Sequence, residues 1–280
     1  MIILDGRKVA ADIERKAAET VKKLNRPVRL GIVSCGANGA SDVYVRQKLK
    51  AAERCGIQAQ QFRWCHPDSA RRCIDNLVYS KFDGIIVQLP IAEEYESLTK
   101  PLLDSIPMEM DVDGLGTSNK ARFMTTGNHH FAPCTPEGIM RLLYAYNIDP
   151  DGMNVTIIGR SELVGRPLAH MMLASNATVT VCHTGTSTLD LIHHCQQADI
   201  VVSACGVPKL ITAEMLKDNA VVIDVGINRV DGKLCGDVDI ESLEKTNCKV
   251  TPVPGGVGPM TVAMLMDHVA TAAVRKPDMI

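Results

Sequence analysis

The 280-residue chain lacks the features that mark several large classes of protein. Aromatic residues make up only 4% of it, which argues against an aromatic-rich binding surface. Its 30 basic and 32 acidic residues nearly cancel, and no basic run of the kind that binds nucleic acid or membrane surfaces occurs. Charges at Asp5, Arg7 and Lys8 interrupt the start before any signal-peptide core, and no run approaches the roughly 18 apolar residues of a membrane span. We therefore expect a cytoplasmic protein with no nucleic-acid and no membrane partner.

The ten cysteines are scattered and include no C-x-x-C pair. This pattern indicates neither a zinc site nor a disulfide framework. Several cysteines lie inside apolar runs such as VTVCH and IVVSACG, so we interpret them as reduced, small hydrophobic residues. Asp111 and Asp113 have no neighbouring carboxylate or histidine cluster that completes a cation site, and we expect no metal.

The chain has the composition of a compact globular protein, with 46% apolar and 22% charged residues. Short β-branched runs alternate with helix-length segments from end to end, which predicts an α/β fold with parallel sheets covered on both faces. The length suggests two domains or one large one, and in the two-domain interpretation the polar segment 114–133 is the predicted transition. The predicted strands are 29–34, 58–64, 84–88, 154–159, 178–183, 200–204, 221–225 and 249–251, and the predicted helices include 41–55, 69–79 and 135–147.

The segment VTIIGRSELVGRPLAHMML predicts a strand, a turn from Gly159 to Gly165, and a helix that opens near Arg166 and Pro167. A strand that leads into a helix N-terminus forms an anion site from free backbone N–H groups and the helix dipole. The two glycines are separated by five residues, which differs from G-x-G-x-x-G, so a simple strand-to-helix turn stays open as the alternative.

The end of the next strand bears on the choice between NAD and NADP. NAD-selective sites usually carry an acid there that holds the ribose 2′-hydroxyl. This chain has VTVCHTGTS instead, with donors at His183, Thr184, Thr186 and Ser187, while Arg160 adds a positive charge to the preceding turn. These residues favour NADP, because they suit a 2′-phosphate better than a hydroxyl.

In the first half, SDVYVRQKLKAAERCGI predicts a helix whose packing face includes Val45, Leu49 and Ala52. Tyr44 and Lys48 lie beside that face, four residues apart, so their side chains are neighbours. A partly buried lysine can transfer protons or activate water. Alternatively, the pair lies on the surface with its polar ends in solvent.

Three more segments of the chain suggest a binding site. IIVQLP ends an apolar strand with Gln88 at its carboxyl edge, where α/β sheets present ligand-binding groups. MDVDGLGTSN places Asp113 before a glycine turn, and turn chemistry alone also explains that pattern. TPVPGGVGPMT is a Gly- and Pro-rich loop that a planar ligand can approach closely, or else a structural connection.

Taken in order, YVRQK, VQLP, DVDG, PCTPEG, GRSELVGRP, DVGIN and PVPGGVGPMT resemble the bifunctional methylenetetrahydrofolate dehydrogenase/methenyltetrahydrofolate cyclohydrolase family, over residues 4–261. The resemblance implies two α/β domains that flank a cleft, the second a Rossmann-like nucleotide-binding domain. It also implies a homodimer, NADP as cofactor and tetrahydrofolate derivatives as substrates. The implied division is a folate-binding catalytic domain at 1–133, joined by a C-terminal helix at about 261–280, and an NADP-binding domain at 134–260.

The resemblance also implies roles for individual residues. Lys48 is similar to the family's cyclohydrolase lysine, Tyr44 packs on the folate, Gln88 bonds Lys48 and polarises the substrate, and Asp113 anchors the pteridine. The loop against the folate matches Gly258, Pro259 and Thr261, and the nucleotide contacts match Gly159, Arg160, Ser161, Thr184 and Ile227. The chain departs from the family pattern at LPIA, where LPLP is frequent, and at Ala121, where many members have glycine.

The implied activity is NADP-dependent oxidation of 5,10-methylenetetrahydrofolate to the 5,10-methenyl compound, followed by its hydrolysis to 10-formyltetrahydrofolate. One alternative is an amino- or hydroxy-acid dehydrogenase, which leaves YVRQK, VQLP and DVDG unexplained. The other is a nucleotide-sensing protein without turnover, against which Lys48, Gln88 and Asp113 argue.

Overall fold

The computed structural model describes residues 1–36, 39–126 and 130–276. It confirms the predicted α/β class with parallel sheets. The chain divides into two compact units, which we name after their main sheets. The three-stranded unit comprises Ala11–Cys134 and Val262–Ile280, and the six-stranded unit comprises Met1–Ala10 and Thr135–Thr261.

The three-stranded unit is built on a parallel sheet of order β3-β2-β4. The central strand β2 is apolar and buried almost throughout, as expected for a strand with both faces covered. Its elements are β2 (Arg29–Cys35), α2 (Gly39–Arg54), β3 (Gln58–Trp64), α3 (Pro67–Tyr79), β4 (Gly84–Val87), a 3₁₀ helix (Glu93–Leu98), α4 (Thr99–Asp104) and α5 (Thr117–Thr126).

An irregular segment continues this sheet beyond β4. Ile85 pairs in parallel with Asp111, and the Ile85 N–H donates to the Met110 carbonyl at 2.8 Å. Because the two segments run in the same direction, the residues at their carboxyl ends meet at one edge of the sheet. This register brings Gln88 and Asp113 to the same carboxyl edge.

The six-stranded unit contains an all-parallel sheet of order β1-β11-β8-β7-β5-β6. From β5 the chain passes first to β6 on one side and then to β7 on the other, so the carboxyl end of β5 lies at a topological switch point, where such sheets bind ligands. Its elements are β1 (Ile2–Ile3), α6 (Cys134–Ala145), β5 (Asn154–Ile158), α7 (Gly165–Ala174), β6 (Thr178–Cys182), α8 (Thr188–Gln197), β7 (Ile200–Ser203), a 3₁₀ helix (Ala213–Met215), β8 (Val221–Asp224), β9 (Asn228–Val230), β10 (Lys233–Cys235) and β11 (Lys249–Val250).

The first residues of the chain lie in the six-stranded sheet. The division at residue 133 assigns them to the folate-binding domain, but Ile2 and Ile3 pair with Lys249 and Val250 in the six-stranded sheet. The helix after them, α1 (Gly6–Lys22), starts in one unit and ends in the other. A two-residue strand has too little pattern to reveal its partner in the sequence, and only the edge of the folded sheet selects it.

The segment 114–133, the predicted transition between the two domains, contains the helix α5. Its start is capped from a distance, because the Asp104 carboxylate accepts from the Thr117 N–H at 2.7 Å and from the Thr117 hydroxyl at 3.0 Å. The cap is 13 residues away in sequence, so the usual local capping signal is missing. The departure at Ala121 lies on this helix and is exposed.

The last described helix, α9 (Val257–Arg275), corrects the expectation that no segment approaches a membrane span. By length and composition alone this helix is apolar enough to cross a membrane, but 61% of its most apolar 18-residue stretch is buried inside the protein. Met264, Leu265 and Val269 belong to the core of the three-stranded unit. This burial explains the apolar composition of the helix.

Candidate functional site

Lys48 lies on α2, whose packing face is the predicted one. Val45 is 1% exposed and Ala52 is fully buried, while Leu49 packs against the same core at its margin. Lys48 itself is only 8% exposed, so the alternative of a solvated surface lysine is wrong. Tyr44, one helical turn earlier, is half-buried.

The Lys48 ammonium is paired with the second aspartate of DVDG. Its Nζ lies 3.8 Å from Asp113 Oδ2, and the two side chains are 10% and 16% exposed. The glycine after Asp113 is required, because Gly114 has φ of 67° and a Cβ there would lie 2.4 Å from the Ala132 carbonyl oxygen. The turn therefore holds Asp113 against Lys48.

The first aspartate of DVDG has a different role. The Asp111 carboxylate accepts from the Leu115 N–H at 3.3 Å, the Gly116 N–H at 2.9 Å and the Asn119 amide at 2.9 Å. Burial raises the pKa of Asp111, although these hydrogen bonds act in the opposite direction. Turn chemistry thus accounts for Asp111, and Asp113 is the member of the pair that faces the lysine.

Sequence reasoning missed two residues that support this turn. The Val112 carbonyl, between the two aspartates, lies 2.9 Å from His268 Nδ1 and 3.4 Å from Cys134 Sγ. His268 comes from α9 and is 5% exposed. Cys134 lies in the PCTPEG motif, which gave no role for that residue, and His268 lies in none of the motifs.

Gln88 directly follows β4, and its side chain is buried. Its amide Nε2 donates to the Leu89 carbonyl at 2.6 Å. Its Oε1 is buried and has no hydrogen-bond partner among the described residues. A buried acceptor without a partner costs about 1–3 kcal/mol, so this atom is suited to a donor that arrives with a ligand.

The second group of candidate residues lies in the six-stranded unit, at the carboxyl end of β5. A Cβ at Gly159 would lie 2.4 Å from the Ala204 carbonyl oxygen, and a Cβ at Gly165 would lie 2.1 Å from the Gly159 carbonyl oxygen. Both glycines are therefore needed for a tight turn into α7, as the sequence predicts. Arg160 and Ser161 lie on this turn, where Ser161 is exposed, and the Ser161 hydroxyl accepts from the Val164 N–H at 3.2 Å.

The end of β6 lies beside this turn, because the Gly159 N–H donates to the Cys182 carbonyl at 2.9 Å. The next loop is ordered by its own side chains: His183 Nδ1 accepts from the Gly185 N–H, and Thr186 Oγ1 accepts from the His183 N–H, both at 3.0 Å. Thr184 is exposed there. A fixed cation, a backbone turn at a helix start and neutral donors thus fit the 2′-phosphate of NADP.

Ile227, the last predicted nucleotide contact, is 49% exposed on the loop after β8. Buried carboxylates of Asp224 and Asp237 bond the residues on either side of it. Neither aspartate is among the site residues predicted from the sequence. The sequence does contain a signal for them, because each aspartate lies next to or near a glycine, in DVGIN and CGDVD.

The glycine- and proline-rich segment is partly helical. Gly258, Pro259 and Thr261 were predicted to lie on a loop, but they lie at the start of α9. The close backbone approach in this segment occurs before the helix, at Gly256. A Cβ at Gly6 would lie 1.9 Å from the Gly256 carbonyl oxygen, so the two backbones are in close contact. The Thr261 hydroxyl lies 2.9 Å from that of Thr135.

The ten cysteines all lie within the described residues, and no disulfide bond joins any two of them. Across the described ranges, His, Cys, Asp and Glu side chains form no group of three or more that could hold a metal ion.

These features define an α/β protein with a nucleotide-type turn at the switch point of one parallel sheet and a buried Lys–Asp pair at the carboxyl edge of another. Comparison with known proteins agrees with that class. The tetrahydrofolate dehydrogenase/cyclohydrolase catalytic domain matches residues 4–113, and the NAD(P)-binding domain of the same family matches residues 133–277.

Full-length relatives agree with the family matches. The bifunctional protein FolD of Moorella thermoacetica is 45% identical, over 98% of this chain and 99% of that protein. The crystal structure of FolD from Campylobacter jejuni has a TM-score of 0.91 and 39% identity, covering 99% of this chain and 100% of that one. The FolD structure from Trypanosoma brucei, complexed with NADP cofactor and inhibitor, has a TM-score of 0.91 and 33% identity, with 99% of each chain covered.

The chain therefore belongs to the tetrahydrofolate dehydrogenase/cyclohydrolase family, and the resemblance inferred from its motifs is confirmed. Its six-stranded unit carries the NAD(P)-binding domain of that family.

Proposed function

We propose that this protein oxidises 5,10-methylenetetrahydrofolate to 5,10-methenyltetrahydrofolate with NADP and then hydrolyses the product to 10-formyltetrahydrofolate. The observation that carries the proposal is the Lys48–Asp113 pair, with 3.8 Å between Nζ and Oδ2, in a chain of this family. The competing dehydrogenase and nucleotide-sensing functions give no reason to bury such a pair at a sheet edge.

Folate binding and NADP binding divide between the ranges predicted from the sequence. Residues 1–133 with the C-terminal helix at about 261–280 form the folate-binding catalytic domain, and residues 134–260 form the NADP-binding domain. Residues 277–280 of that helix lie outside the described residues. Met1–Ala10 belong to the six-stranded unit, so within the first range the folate-binding role is assigned to Ala11–Cys134.

In the folate site, Asp113 binds the pteridine through charge-assisted hydrogen bonds and Tyr44 packs on the folate ring. Gln88 offers its buried Oε1 to a donor on the substrate, since no hydrogen bond from Lys48 or any other described residue reaches that atom. Gly258, Pro259 and Thr261 contact the folate from the start of α9.

In the nucleotide site, Gly159, Arg160, Ser161, Thr184 and Ile227 contact NADP. When bound, NADP supplies the acceptor for the hydride that leaves the methylene carbon of the folate. The protein contributes mainly by positioning, since this step needs two planar rings face to face and no proton transfer to a side chain. Arg160 provides the preference for NADP, because its guanidinium pairs with a 2′-phosphate.

The hydrolytic step depends on Lys48. Water adds to the electrophilic methenyl carbon, a C–N bond opens, and one proton is released overall. Lys48 transfers protons between the attacking water and the departing nitrogen. Asp113 lies close enough to orient the amine, and Gln88 fixes the substrate beside it.

The protein acts as a homodimer in the cytoplasm, without a nucleic-acid or membrane partner. The near-neutral charge balance and the family resemblance support this part of the proposal. Sedimentation equilibrium at micromolar concentration tests the dimer, and a purely monomeric protein would contradict it.

A spectrophotometric assay tests the function as a whole. With methylenetetrahydrofolate and NADP we expect simultaneous formation of NADPH and the methenyl compound, and then loss of the methenyl absorbance as it is hydrolysed. Reduction of NADP by an amino or hydroxy acid instead would favour a different dehydrogenase. Nucleotide binding with no turnover of any of these substrates would favour a sensor.

A further inference from the structure

A pair of buried aspartates lies at the base of the β9–β10 hairpin, and the proposed chemistry uses neither. Asp237 is fully buried and Asp224 is 4% exposed. The hairpin turn itself has a local explanation, since Asp231 and Gly232 both have positive φ, as a two-residue type I′ connection requires. The buried carboxylates at its base have no such local explanation.

Asp237 connects two loops at the carboxyl edge of the six-stranded sheet. Its Oδ2 accepts from the N–H groups of Cys205 at 2.9 Å and Gly206 at 3.1 Å, and from the Ser203 hydroxyl at 3.1 Å. Its Oδ1 accepts from the Asn228 amide at 2.9 Å. One carboxylate thus joins the loop after β7 to the loop after β8.

Asp224 holds Asp237 in place. Its Oδ1 accepts from the Asp237 N–H at 2.9 Å and the Gly226 N–H at 3.0 Å, and its Oδ2 accepts from the Val238 N–H at 3.0 Å. Glycines leave room for both carboxylates. A Cβ at Gly226 would lie 2.1 Å from Asp237 Oδ1. A Cβ at Gly236 would lie 1.8 Å from Asp224 Oδ2. Both glycines are therefore part of the same arrangement.

The two loops that Asp237 joins reach the proposed nucleotide site. The loop after β7 includes the Ala204 carbonyl, which closes against Gly159. The loop after β8 carries Ile227 between two residues that the aspartates hold, Gly226 and Asn228. A carboxylate that bonds both loops sets the distance between Ile227 and the Gly159 turn.

We propose that Asp237 is a positioning residue for NADP, which acts through the 204–206 loop and Ile227 without touching the nucleotide. Asp224 and Asn228 fix the orientation of its carboxylate. The inference rests on the proposed function, because it assumes that NADP binds at the Gly159 turn.

An exchange of the amide and the carboxylate tests this inference. Asn228→Asp places a second carboxylate against Asp237 at the 2.9 Å contact, and the repulsion should separate the loops. We expect calorimetry to show NADP affinity reduced about tenfold or more, with folate affinity changed less than about twofold. Adding Asp237→Asn restores an amide–carboxylate pair with the partners exchanged, and NADP affinity should return to within about threefold of the unmodified protein.

Asp237→Asn alone separates positioning from net charge. Removal of a negative charge near a phosphorylated ligand tightens binding if charge alone matters, whereas loss of the loop contacts leaves binding equal or weaker. Asn219→Asp is the matched control for Asn228→Asp. It adds the same negative charge at an exposed residue before β8, at the opposite edge of the sheet. Tight NADP binding in that control, with unchanged folding, supports the inference.

Several results overturn it. Asn228→Asp with unchanged NADP affinity overturns this inference alone, as does a double variant that recovers none of the affinity. Equal loss of NADP and folate affinity, in step with a lower melting temperature, shows a purely structural role and also overturns it. Failure of the unmodified protein to bind NADP overturns both this inference and the proposed function.

Discussion

The Lys48 ammonium lies 3.8 Å from Asp113, with 10% and 16% of the two side chains exposed. The helix α2 places the lysine, and the irregular segment beside β4 places the aspartate. Burial of the Lys48 ammonium without an opposite charge would cost free energy, so the fold keeps Asp113 beside it. Its place on the sheet edge that Gln88 shares makes it the centre of the folate site that we propose.

Lys48→Met should separate the two activities. The substitution keeps the side-chain length and the packing of α2 but removes the amine. Hydride transfer moves no proton to a protein group, whereas hydration of the methenyl cation does. We expect cyclohydrolase activity to fall about 10²-fold or more, while measurable dehydrogenase activity persists and the methenyl compound accumulates.

Lys50→Met is a matched control, because Lys50 lies on the same helix and is exposed. It should change neither activity. An equal loss of both activities in folded Lys48→Met would mean that the lysine mainly positions the folate, and full activity would exclude it from the chemistry.

Asp113→Ala should weaken folate binding in both reactions by roughly 1.5 to 3 kcal/mol, the usual contribution of a charge-assisted pair. NADP affinity should be unchanged. Calorimetric titration with folate and with NADP checks both expectations on the same protein. Unchanged folate affinity in a folded variant would return Asp113 to a turn role like that of Asp111.

Arg160→Ala should raise the KM for NADP about tenfold and the KM for NAD much less, because only NADP offers a 2′-phosphate to the guanidinium. Initial rates with the two cofactors measure the difference. Arg141→Ala removes an equivalent exposed charge from α6 and should leave both KM values unaltered. If the unmodified protein uses NAD more efficiently than NADP, our interpretation of the β6 end is wrong.

Burial raises the pKa of Asp224 to about 6, from a usual value of 3.8. The folded protein therefore holds this proton more tightly than the unfolded chain, and the contribution of Asp224 to stability decreases as the pH rises from about 4 to above 6. The expected decrease is about 2 to 3 kcal/mol. Asp224→Asn cannot ionise and should lack this component.

Urea unfolding of both proteins at several pH values between about 4 and 7.5 gives the comparison. The free energy of unfolding of the unmodified protein, relative to that of Asp224→Asn, should fall across this range. A flat difference would mean that the three backbone N–H donors offset the cost of burial. Carboxylates distant from Asp224 titrate alike in both proteins, so their effects cancel in the comparison.

Much of the architecture could be predicted from local pattern. Apolar runs such as RLGIV and VTIIG lie in strands near their expected positions, because a strand covered on both faces is nearly all apolar. The turn from Gly159 into α7 was equally predictable, since only glycine tolerates its close approaches. The ordered set of motifs was sufficient to identify the family.

Tertiary structure alone decided which distant residues meet. Lys48 and Asp113, Asp224 and Asp237, and Val112 and His268 are brought together by sheet register and helix packing, which depend on burial summed over the whole core. The same holds for the pairing of Ile2 with Lys249 and for the Asp104 cap on α5. A sequence encodes the chemistry of each partner, but a contact between two of them exists only after non-local packing has offset the entropy of closing the intervening loop.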